Sequence, residues 1–179
     1  ETRVLIKTIT ASNAASVEFI DGSSGVVFDN TYKRYEFNID TAIPATNQTY
    51  MDMKLTSDGG SSYHGDSSYN LVSWRWYSNG SSTGTQVQYF NDFAGNADQQ
   101  ISSSAASGGL HAFVTVSNIG AASRTTFKST YYAFGANSYY IQTETVGARE
   151  DSSITVDGVK FNFRSGNITS GTFKLFGVK

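Results

Sequence analysis

Two histidines, His64 and His111, are the only imidazoles in the chain, and they stand far apart. Neither falls in the His-Glu-x-x-His spacing that brings two metal ligands onto one helical face. There is no Cys, which removes disulfides, thiol catalysis and thiolate zinc sites together. Carboxylates are sparse: Asp92 and Asp98 share one stretch, and Glu144, Glu150 and Asp151 lie near one another. Glycoside hydrolysis needs two carboxyl groups a few ångströms apart across a cleft, and these read better as solvated loop carboxylates. Asn and Asp in 91–98 offer hard oxygen ligands for calcium, but without an Asp-x-Asp-x-Asp-Gly loop they read as turn formers. The expectation is a non-enzymatic protein with no catalytic residues, no metal and no cofactor.

Aromatic residues are the remaining candidates. Trp74, Trp76 and Tyr77 fall in one short run, with Tyr63 and His64 just before it, and these five form the candidate ligand-binding set. Trp and Tyr rings can stack on sugar rings. The same residues also suit a core, since each large ring buries on the order of 150–250 Å². Val72, Trp74 and Trp76 share one face at strand period and read as core, with Arg75 opposite them. Tyr131-Tyr132 and Tyr139-Tyr140 add two more pairs, which makes subunit contacts a further use for the rings.

Strands must position these groups. Tyr35, Phe37 and Ile39 alternate with Arg34, Glu36 and Asn38; Met51, Met53 and Leu55 with Asp52, Lys54 and Thr56. Val114 and Val116 oppose Phe113 and Thr115, Val159, Phe161 and Phe163 oppose Lys160, Asn162 and Arg164, and Phe173 and Leu175 oppose Lys174 and Phe176. One buried and one wetter face per strand is the pattern of antiparallel sheets. Asp21-Gly22, Asp58-Gly59-Gly60, Asn79-Gly80, Gly108-Gly109, Asp157-Gly158 and Ser165-Gly166 mark reversals. The runs predict strands over 3–10, 14–20, 33–40, 49–57, 68–77, 84–90, 110–118, 124–133, 138–146, 153–156, 159–164 and 171–178, with long loops at 58–68 and 91–109. The fold expected is all-β: one jelly-roll-like antiparallel β-sandwich of about ten strands spanning 1–179.

Composition narrows the partners. Thirteen Lys and Arg against 15 Asp and Glu give a net charge of −2, with no basic concentration for nucleic acid. No run of about 20 apolar residues is available to insert in a membrane. The opening Glu1-Thr2-Arg3-Val4-Leu5-Ile6 does not read as a secretion signal, and without an initiator Met it reads as starting a few residues into its gene product. Asn47-Gln48-Thr49, Asn79-Gly80-Ser81 and Asn167-Ile168-Thr169 match the glycosylation tripeptide.

The two ends carry a resemblance. Leu5-Ile6-Lys7-Thr8-Ile9-Thr10-Ala11-Ser12, Ala15-Ser16-Val17-Glu18-Phe19, Gly25-Val26-Val27-Phe28-Asp29-Asn30-Thr31-Tyr32-Lys33 and Pro44-Ala45-Thr46-Asn47 are similar to the small virion structural or tail-fibre-like proteins of tailed, often marine and cyanophage-type, bacteriophages. The same holds for Ser165-Gly166-Asn167-Ile168-Thr169-Ser170-Gly171-Thr172-Phe173-Lys174-Leu175-Phe176-Gly177-Val178-Lys179. The resemblance implies a structural protein on the virion surface: a capsid decoration or head-fibre protein, or a tail-fibre component. Its partners would be other virion proteins and further copies of itself, a homotrimer being favoured. A cytoplasmically assembled virion protein would leave the glycosylation tripeptides unused. The alternative reading is a carbohydrate-binding receptor-recognition module that attaches a fibre to host surface glycan. Residues 60–150 resemble the family poorly, and no ligand residue carries over from it.

Overall fold

The computed structural model describes residues 1–65, 68–78, 83–88, 101–149, 151 and 153–179; of 83–88 only the backbone is described. The described strands are β1 (Arg3–Ala14), β2 (Val17–Ile20), β3 (Arg34–Pro44), β4 (Met51–Thr56), β5 (Tyr69–Ser78), β6 (Thr83–Gln88), β7 (Leu110–Ser117), β8 (Thr126–Phe134), β9 (Tyr140–Arg149), β10 (Gly158–Phe163) and β11 (Ile168–Val178). Their pairings are antiparallel. They form an eight-stranded sheet in the order β1-β11-β3-β7-β8-β9-β5-β6 and a three-stranded sheet in the order β2-β10-β4. The all-β antiparallel sandwich expected from the alternation is therefore what the chain adopts, with its strands divided eight and three.

The small sheet lies over the β11-β3-β7 side of the large one. Phe37 of β3 meets Phe19 of β2 and Phe161 of β10 edge-on, at ring-centroid distances of 5.3 and 5.4 Å, and Phe161 lies 6.0 Å from Phe173 of β11. Met51, Met53, Leu55, Phe161, Phe163, Phe173 and Leu175, the inward sets that the alternation picks out, are all buried in this one cluster. Burying each such side chain contributes roughly 1.5–3 kcal/mol.

One expected strand is absent. Residues 153–157 join no ladder, because isolated backbone bonds hold them instead: Gly120 N–H donates to Val156 O, Asp157 N–H to Thr56 O, and Asp21 N–H to Asp157 O. Val156 is nonetheless fully buried, so its apolar side chain marks core without marking a strand. The two chain ends meet, since Arg3 pairs with Val178 and Lys179 N–H donates to Thr2 O.

Candidate functional site

The outer face of the eight-stranded sheet is the candidate site. Pairing register sets its side chains in rows across the strands. One row runs Lys174, Asn38, Phe113, Thr130, Glu144, Trp74 from β11 to β5. In the next, His111, Tyr132, Gln142 and Trp76 are successive partners on β7, β8, β9 and β5. A third holds Phe134, Tyr140 and Ser78.

The face divides by chemistry. Over β1, β11 and β3 it is laced with charge: Arg3 bonds Glu36 at 2.9 Å and caps the Phe176 ring at 3.6 Å, and Lys174 bonds Asp40 at 3.2 Å. Over β7, β8, β9 and β5 it turns aromatic, with Phe113, Tyr132, Trp76 and Tyr140 exposed by 53, 47, 40 and 70%. His111 and Tyr132 stack almost parallel, 8° between planes and 5.1 Å between centroids. Asp40 lies 3.9 Å from the His111 ring, whose Nε2 is 3.2 Å from the Gly108 carbonyl. Tyr132 and Trp76 stand two strands apart, about 10 Å, with Gln142 between them. Flat rings separated by hydrogen-bonding amide and carboxylate groups can hold a ligand that is apolar on its faces and polar at its edges.

This arrangement corrects the sequence reading of β5. Val72, Trp74 and Trp76 face outward, and the inward residue is Arg75, 3% exposed. Strand parity allows only one of the two sets to face in, and a shift of one residue exchanges them. Tyr69 settles the parity: it is buried, accepts a hydrogen bond from Leu55 N–H through its hydroxyl, and meets Phe127 edge-on at 6.1 Å. Every second residue after it points the same way, which carries Ser73, Arg75 and Tyr77 to the inner side. The inner side of this half accordingly mixes polar groups with apolar ones: Ser129, Thr143 and Thr145 are buried there beside Phe127, Tyr131 and Ile141, and Ser73 and Thr145 share a 2.7 Å hydroxyl bond. Burial pushes the Tyr131 phenol up, opposed by the neighbouring Thr143 hydroxyl and by the Arg75 charge.

The five residues expected to form a binding set do not come together. Trp74 and Trp76 share the outer face, whereas Tyr77 lies on the inner side, edge-on to Tyr139 at 5.6 Å. Tyr63 and His64 lie in the segment after β4 and pack against the small sheet. Lys160 of β10 sits 3.5 Å over the Tyr63 ring, and burial, with Glu18 second, pushes the Tyr63 phenol up. His64 N–H donates to Leu55 O, and burial together with Arg149 pushes its imidazole down. Phe113, His111, Phe134 and Gln142 complete the aromatic face although nothing marked them as ligands; the placement of Phe113 opposite Val114 and Val116 was the available signal.

The carboxylates take structural parts. Asp58 accepts from Ser62 N–H, Ser62 Oγ and Thr56 Oγ, which lowers it to about 2, and Ser153 holds Asp151 below the usual range. Asp40 and Glu144 are three strands apart, about 14 Å along the sheet, beyond the roughly 5–10 Å of a glycosidase pair. Asp92, Asp98, Glu150, the possible calcium stretch 91–98 and the Asn79-Gly80 turn lie outside the described residues. The letters Gly-x-Ser-x-Gly occur at Gly80 to Gly84, where residues 80–82 lie outside the described residues, after the end of β5 at Ser78 and before the start of β6 at Thr83. Among the described residues no group of three His, Asp or Glu is placed to hold a metal, and no helix is long and apolar enough to cross a membrane.

No family model matches the chain, and no curated protein matches it. Among solved structures, it aligns with the CBM2 module of the evolved Dit of Lactobacillus casei BL23 phage J-1, over 94% of this chain and 75% of that one, at 10% identity and a TM-score of 0.22.

Proposed function

We propose that this chain is a non-catalytic glycan-binding module, displayed on a phage particle and holding host surface carbohydrate on the outer face of its large sheet. The observation that carries the reading is the outward set Phe113, Tyr132, Trp76 and Tyr140, exposed on a rigid sheet with Gln142, Glu144 and Asp40 on the same face. A monomer rarely leaves so many large rings exposed on one face without a use for them. Sugar rings present C–H faces to such aromatics and hydroxyl edges to amides and carboxylates. The phage assignment rests on the resemblance of the terminal segments. Both chain ends lie at one edge of the sheet, and Phe134 and Tyr140 pair eight residues further along β8, about 27 Å away at strand rise. A tether at the ends would leave these rows at the end of the sheet remote from the particle.

The test is binding of the purified chain to an array of bacterial surface polysaccharides, with Trp76→Ala and Tyr132→Ala beside the wild type. The expected result is selective binding that falls at least tenfold, about 1.4 kcal/mol, in each variant. Wild-type binding that both variants retain, or no wild-type binding to any polysaccharide, defeats the reading.

The same exposed rings favour one second reading, a structural virion protein whose subunits, as a trimer, bury this face against one another. Sedimentation equilibrium separates the two. A single 19.4 kDa species at micromolar concentrations excludes self-burial, whereas a trimer that Trp76→Ala dissociates supports it.

A further inference from the structure

At the far end of the aromatic rows the outer face opens into a cleft of about 410 Å³. Phe134 and Tyr140 form one wall, with rings edge-on at 4.9 Å, and Ser102, Ser104, Ala106 and Ser107 line another. The volume falls in the range of small-molecule sites, roughly 300–1,000 Å³. Among the described residues no charged side chain lines it. Tyr140 belongs both to this wall and to the outer face, so platform and cleft are continuous.

The polar wall is held in place. Ser102 Oγ accepts from Ser104 N–H at 3.1 Å and from Ser107 Oγ at 3.0 Å, which joins the three serines into one unit. Ile101 bridges to both Thr49 and Gly135, and Gly135 N–H donates to Tyr139 O at 2.7 Å, so both walls hang on the sheet. The short 3-10 turn Ala105–Ser107 ends at Gly108, whose positive φ of 77° suits glycine and whose carbonyl meets His111. The cleft is thereby tied directly to the His111–Tyr132 stack.

Resting on the glycan-binding reading, we propose that this cleft receives the end residue of a neutral glycan whose following residues lie on Tyr132 and Trp76. Three features select such an occupant. Serine hydroxyls both donate and accept, as sugar hydroxyls require of a partner. The Tyr140 face, 70% exposed, offers a surface for one side of a pyranose ring. Among the described residues no lining cation is offered to a phosphorylated or acidic end, which would lose its water without gaining a counter-charge there. A cleft at the far end of an open platform favours the terminal residue of a chain lying along it, whereas the platform alone would accept any internal stretch.

The experiment uses the full chain, labelled for amide NMR and titrated with methyl glycosides of glucose, galactose, mannose, rhamnose and N-acetylglucosamine. Ala106→Trp, a substitution at an exposed position that fills the cleft, is titrated beside the wild type. The expected result is that at least one glycoside shifts the amides of 104–107 and Gly135, and that Ala106→Trp weakens it at least tenfold while keeping the folded spectrum. If Ala106→Trp disturbs the spectrum, Ser104→Phe serves the same purpose from the same wall. Polysaccharide retention by the platform with no glycoside shift in the cleft overturns this inference and leaves the function standing. Shifts unchanged by both blocking variants overturn it as well. Loss of both polysaccharide retention and glycoside shifts overturns the function itself.

Discussion

The β11-β3-β7 side of the large sheet and the β8-β9-β5 side follow the same alternation, yet they distribute polar groups differently between the two faces. On the first side Phe37, Phe173 and Val114 point in, against the small sheet, and Glu36, Asn38 and Lys174 point out. On the second, Ser129, Thr143, Thr145 and Arg75 point in, while Tyr132, Trp74 and Trp76 point out. Phe37 and Phe173 on the first side stabilise the fold, as Tyr69, Phe127 and Tyr131 do on the second, whereas Tyr132, Trp74 and Trp76 are left on the outer surface. Presence of an aromatic in a strand therefore says little about its role until the parity of that strand is known.

The sharpest challenge to this contrast is Phe161→Ala, which opens a void among Phe37, Phe173 and their neighbours. It should cost roughly 3–5 kcal/mol in a denaturant titration, and a loss under about 1 kcal/mol would mean that the dry half is misassigned. Arg75→Ala should follow at about 1–3 kcal/mol, because it leaves the buried hydroxyls around it without their charged neighbour. If Arg75→Ala is neutral, the polar lining is not a structural layer.

A weaker effect belongs to His64, on the small-sheet side. Burial holds its imidazole below the ordinary value of about 6.5. The unfolded chain therefore binds a proton before the folded one does, and stability should fall as pH drops below that value and continue falling until the folded imidazole also protonates. Thermal unfolding followed from pH 7 to 5 should show the decline, and His64→Gln should flatten it. The smallest stability change is expected for Trp76→Ala and Tyr132→Ala, within about 0.5 kcal/mol by the same denaturant titration. A loss above about 1.5 kcal/mol in either would place those rings in the fold rather than on its surface, and the contrast between halves would collapse.

Much of this architecture is legible in residue order. Eleven of the expected runs lie where strands form, and the pairs Met51/Met53 and Phe161/Phe163 show their inward faces by simple alternation against charged neighbours. Alternation fails at β5, because Ser73-Trp74-Arg75-Trp76-Tyr77 presents two plausible faces. Hydrophobicity alone favours burying the tryptophans. The deciding contacts, Tyr69 with Leu55 and Phe127, are made with residues distant in the chain. The candidate site was half legible for the same reason. Trp74 and Trp76 stood out by type, and local alternation set Phe113 outward, but Phe113, Tyr132 and Gln142 join the tryptophans through register between β7, β8 and β9, which lies outside any local pattern. Tyr63 and His64 are near the tryptophans in sequence and pack against the small sheet, an instance of proximity along the chain failing as a guide to proximity in space.

The pairing of Arg3 with Val178 has a mechanical consequence. A load pulling the two ends apart meets β1 and β11 at their paired extremity and opens that ladder one hydrogen bond at a time, as a zipper opens. Shearing all of the bonds together would demand far more force. A pull between an end of the chain and a ligand held near Tyr140 runs instead along the strands, where bonds share the load. The module should yield readily when stretched end to end and resist when tugged through its binding face.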